Sequence, residues 1–69
     1  MIMLTKLKGE RFTLNSDLIE TVTENPDTTI VLTNGNLLIV QESMQEIIDK
    51  TVEFRRRINS RFDEHGGNR

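Results

Sequence analysis

Between Thr28 and Val40 the sequence reads TTIVLTNGNLLIV. Two apolar runs, 30–32 and 37–40, flank Asn34-Gly35. Such runs around Asn-Gly signal a β-hairpin, because a tight two-residue turn needs positive φ at both central positions and these residues adopt it at low cost. A hairpin with one wet face alternates apolar and polar residues. This one does not, so both of its faces need cover. A two-residue turn sets Leu32 opposite Leu37, Val31 opposite Leu38 and Ile30 opposite Ile39. One face then carries Ile30, Leu32, Leu37 and Ile39, and the other Val31, Leu38 and Val40. A slip of one residue exchanges the faces at little hydrophobic loss, so the turn must hold the register. Which face lies under the rest of the chain stays open.

The elements before the hairpin are short. Residues 2–7, IMLTKL, read as a strand, Gly9 as a turn residue, and residues 11–15, RFTLN, as the return strand. NSDLI favours a turn or one short helical turn, because these side chains bond their own backbone. Residues 19–25 read as a third strand, closed by the turn signal Asn25-Pro26-Asp27. After the hairpin the period changes. Ser43-Met-Gln-Glu46 is a capping box, in which each side chain can bond the other residue's amide. At about 100° per residue, Met44, Ile47, Ile48, Thr51, Val52, Phe54, Ile58 and Phe62 fall within an arc of roughly 160°, the mark of an amphipathic helix. Arg55 lies inside that arc. The expected fold is α+β: about five short antiparallel strands in one curved sheet, then one long C-terminal helix. Residues 1–62 form a single domain and 63–69 a flexible tail.

A helix of some twenty residues spans about 30 Å, while a strand of about six spans about 20 Å. The first three turns can cover one sheet face, and the last two, with Phe54, Ile58 and Phe62, should overhang. In 69 residues the core is marginal, and such chains depend on disulfides, a metal or a partner chain. The sequence has no cysteine and one histidine. A homo-oligomer is therefore expected, built through Val31, Leu38, Val40, Phe54, Ile58 and Phe62. Arg55 is expected to meet a carboxylate across that interface with its stem packed flat.

Charge narrows the partners. Residues 1–52 hold four basic and eight acidic side chains, net −4, whereas residues 53–69 hold five and three, net +2. An acidic body argues against general nucleic-acid binding. No apolar run reaches the roughly 18 residues of a membrane span. MIMLTKLKGE has neither the basic start nor the apolar length of a signal peptide. A soluble cytoplasmic protein is expected. Asp17, Glu20 and Glu24 read as solvated strand-edge carboxylates, His65 as a tail residue, and the arginine cluster 55–57 as cations favoured by a helix C-terminus. No catalytic, cofactor or metal residues are assigned.

MIMLTKLKGERFTLNSDLIETV followed by NPDTTIVLTNGNLLIVQES resembles the small FlbD/SwrD flagellar proteins over residues 1–54. The likeness is carried by Gly9, Phe12, Leu14-Asn15, Ile19-Glu20, Pro26-Asp27-Thr28, Thr33-Asn34-Gly35 and Glu42-Ser43. It implies a non-enzymatic, cofactor-free protein that supports motility and swarming, with a flagellar motor or stator protein as partner. The N-terminal strands and C-terminal helix also resemble the carbon-storage regulators, RNA-binding repressors that form strand-interleaved dimers. Those need a basic edge after the last strand, where this chain has Gln41 and Glu42. That likeness implies a dimer more than it implies RNA binding.

Overall fold

The computed structural model describes the backbone of residues 1–66 and the side chains of residues 1–58. Phe62 and His65 therefore lie outside the residues whose side chains are described. Strands β1 (Ile2–Thr5) and β2 (Arg11–Leu14) form one antiparallel sheet. A 3₁₀ turn, Ser16–Leu18, leads into β3 (Ile19–Glu24), β4 (Thr28–Leu32) and β5 (Leu37–Val40), which form a second sheet in that order. The helix α1 spans Met44–Gly66. The class is α+β, but the five strands are divided between two sheets rather than joined in one. The division follows from the Lys6–Gly9 turn. It takes the chain away from β5 after a single bridge, Lys6 opposite Val40, and one main-chain bond from the Gln41 N–H to the Thr5 carbonyl at 2.8 Å.

Both hairpins are made the same way. The Gly9 N–H donates to the Lys6 carbonyl and the Gly35 N–H to the Leu32 carbonyl, each at 2.8 Å. Each pair is then closed one residue further on: Lys6 N–H to Glu10 at 2.8 Å, and Leu32 N–H to Asn36 at 2.9 Å. These are three-residue loops ending in a glycine at positive φ, +101° at Gly9 and +91° at Gly35. The Asn34 side chain accepts from the Asn36 N–H at 2.9 Å. Thr33 and Asn34 thus take the central turn positions, and Gly35 supplies the left-handed residue after them.

This corrects the register expected from a two-residue turn. Val31 pairs with Leu37, Ile30 with Leu38, Thr29 with Ile39 and Thr28 with Val40. The extra loop residue shifts β5 by one against β4 and so changes the face of every β5 side chain relative to β4. The inner face carries Thr28, Ile30, Leu32 and Val40, all buried, with Leu38 half-buried. The outer face carries Thr29 and Val31, half-buried, and Leu37 and Ile39, exposed.

Ile2, Leu4, Leu14, Ile30, Leu32, Val40 and Ile47 form the core, with Phe12, Ile19, Val22, Leu38 and Phe54 packed around it. Ile47 is the one residue of α1 in the fully buried set, among the described residues. The helix packs on β1 and β3. It runs four residues beyond Phe62, where the sequence placed its end, to the first glycine of Gly66-Gly67. Glycine just past a helix is the usual stop.

The register makes neighbouring residues differ sharply. Val40→Ala, in the core, should cost about 2 kcal/mol or more by chemical denaturation. Ile39→Ala, on the outer face, should cost about 0.5 kcal/mol or less. Equal losses would contradict the face assignment.

Candidate interaction surface

Three side-chain contacts hold the helix on the strands. Glu42, in the link before α1, accepts from the Thr5 N–H through Oε1 and from the Thr5 hydroxyl through Oε2, each at 2.9 Å. This clasp ties β1 to the link across 37 residues of sequence. Burial by itself raises the Glu42 pKa. The Thr5 amide and hydroxyl, its own backbone N–H and the charge of Lys50 outweigh that, and the carboxyl lies below the ordinary glutamate range.

The capping box forms as the sequence suggests. Ser43 N–H donates to Glu46 Oε1 at 2.7 Å, and Glu46 N–H to Ser43 Oγ at 3.1 Å. A second acid joins it: Glu24, at the end of β3, accepts from the Met44 N–H at 2.9 Å. Unpaired amides and the positive end of the helix dipole favour a carboxylate there. Nothing local in the sequence links Glu24 to a helix that begins 20 residues later. Three turns along α1, the Arg55 guanidinium donates to Asp17 at 3.0 Å. Within one chain Arg55 therefore meets the Asp17 carboxylate. The pair is exposed, with 61% and 73% of the two side chains accessible.

The helix is rolled so that Ile47, Thr51, Phe54 and Ile58 face the body, with Ile47 buried and the others half-buried. Phe54 and Ile58 do not overhang. Strands β1 and β3 accept only a narrow strip of the 160° arc, and among the described residues Met44, Ile48 and Val52 of that arc face solvent. Met44, Ile48 and Val52 are 39%, 47% and 49% exposed. They follow one another at four-residue spacing along one side of the helix. A shallow cleft of about 390 Å³ lies on the opposite side of α1, between it and β1, lined by Ile2, Met3, Lys50 and Phe54 among others. The Met44–Val52 stripe therefore lies on the β3 side, between the Glu24 contact at one end and the Arg55–Asp17 pair at the other.

Apolar side chains are also exposed on the outer sheet face. Leu37, at 63%, and Ile39 border a groove of about 460 Å³ with Leu7 and the two lysines of the β1–β2 turn, Lys6 and Lys8. The expected set Val31, Leu38 and Val40 is not one surface. Val31 is on the outer face, Leu38 is half-buried on the inner one, and Val40 is 2% exposed in the core. Sequence reasoning missed the stripe because a wide apolar arc does not say which part of it touches the body. No helix among the described residues is long and apolar enough to cross a membrane.

The Glu42 clasp contributes stability that depends on pH on the acid side. A carboxyl with a lowered folded-state pKa stabilises the fold above the unfolded glutamate value of about 4.3 and loses that contribution as pH falls through the folded value. Thermal melts from neutral pH downward should show this loss. Glu42→Gln should be less stable at neutral pH and lose less on acidification. Arg55→Ala, which removes an exposed ion pair, should change stability by about 0.5 kcal/mol or less.

A family model described as FlbD: Flagellar and Swarming motility proteins matches residues 1–59. No curated protein and no solved structure matches the chain.

Proposed function

The chain belongs to the FlbD family of flagellar and swarming motility proteins, and from that premise we propose that it supports motility without enzymatic chemistry, by binding another protein and acting on the output of the flagellar motor or its stator. The match over residues 1–59 carries the motility role. The binding mode is supported by what the described surface offers a partner: the outer-face residues Leu37 and Ile39, beside the groove with Leu7 and the lysines of the first turn. Apolar groups grouped in this way mark contact surfaces more often than reaction sites. The proposed compartment is the cytoplasm, where the inner parts of a flagellar motor are reached.

A motile host lacking the protein tests this reading. Cells should still build flagella but swarm poorly and show reduced torque on tethered or bead-loaded filaments. Loss of the filaments themselves would move the role to assembly. The RNA-binding alternative has its own measurement, a gel shift across salt concentrations. Sequence-specific binding with a steep salt slope would favour it, whereas absence of a shift is the expected result.

A further inference from the structure

We infer that β3 and α1 together form a twofold interface with a second copy of this chain, β3 pairing antiparallel with β3 and the Met44–Ile48–Val52 stripe packing against its own copy. This goes beyond the motility reading and does not depend on it.

β3 is an edge strand of its sheet, and β5, which Lys6 bridges at Val40, is the other. The direction of its free backbone groups follows from the ladder. Leu32 bonds across to Asn36, so the even positions of β4 point at β5 and the odd positions at β3. Thr21 and Thr23, opposite Val31 and Thr29, point at β4, which leaves Val22 and Glu24 pointing outward. An open edge of this kind templates pairing with another strand. The helix stripe lies beside that edge, so a strand added to β3 would extend the sheet and bring a second helix alongside the first.

A twofold contact needs one patch that fits itself. A β3–β3 pair about a twofold axis is antiparallel and sets the two α1 helices antiparallel as well, so that each stripe meets its own copy reversed. α1 runs opposite to β3, with Met44 at the Glu24 end and Arg55 at the Asp17 end. Pairing centred on Val22 therefore brings Glu24 of the second copy opposite Glu20, beside Arg55. Without that guanidinium two glutamates would face each other across the strands, a destabilising pair. The exposed position of Arg55, at the edge of an apolar stripe, then has a reason beyond its weak bond to Asp17.

The core points the same way. Among the described residues, seven hydrophobic ones are buried and nine large ones exposed, and Met44, Ile48 and Val52 are three of these. In a domain of this size, self-association is one route to cover such a stripe.

Light scattering after size exclusion, from about 1 µM to about 200 µM, reads the mass as association follows mass action. The wild type should approach twice its 8.0 kDa chain mass. Ile48→Asp and Arg55→Glu should each lower the apparent association constant at least about tenfold, a change of about 1.4 kcal/mol, while melting cooperatively. Leu37→Asp, on the outer face, should remain dimeric. A wild type that stays at monomer mass throughout overturns the inference. So does an Arg55→Glu protein that associates as the wild type does, or dissociation by Leu37→Asp in place of Ile48→Asp. Arg55 is surface-exposed, so its variant keeps the test decisive if Ile48→Asp fails to fold.

Discussion

The position of one glycine decides which side of this protein is inside. Gly35 takes φ +91° as the third residue of its loop, not the second. That single residue of loop length sets the pairing of β4 with β5. Val40 joins the core, and Leu37 and Ile39 are turned to solvent. A left-handed conformation is strained for any residue with a Cβ. No atom lies within 4 Å of where a Gly35 Cβ would stand, so the requirement for glycine comes from the backbone and not from crowding. The first hairpin repeats the arrangement at Gly9, and its turn carries β1 away from β5. The two turns thus account for both the register of one sheet and the division of the strands into two.

What the turns do not hold, long-range side-chain contacts do. Glu42 bonds Thr5, Glu24 bonds the first amide of α1, and Arg55 bonds Asp17. Two of these use acids of β3 and its flank to fix the helix beside an open strand edge. The result is a body with a small core and one wall made of strand edge and apolar helix side. The outer face with Leu37, Ile39 and the lysines of the first turn is a separate surface.

Much of the fold was legible in the sequence because its signals are local. The strands appear within a residue or three of where the pattern put them, and the capping box forms with both of its hydrogen bonds. The register was not legible, because Asn34-Gly35 serves a two-residue loop and a three-residue loop equally well, and two apolar faces could not arbitrate between them. The candidate surface was legible only as a type. Apolar residues lacking partners were foreseen, but on Phe54 and Ile58, which lie against the body, rather than on Met44, Ile48 and Val52. The roll of a helix about its axis depends on strands far away in the sequence, β1 above all, and no short window of sequence records it. The same distance hid Asp17 as the partner of Arg55.

The register can be observed directly by nuclear Overhauser spectroscopy. In an antiparallel ladder the α-protons approach closely only at pairs that are not hydrogen-bonded to each other. The structure calls for α-proton contacts between Thr29 and Ile39 and between Val31 and Leu37. Contacts instead between Ile30 and Ile39 and between Leu32 and Leu37 would restore the two-residue turn, reverse the faces of β5, and contradict this account of what the protein buries and what it presents.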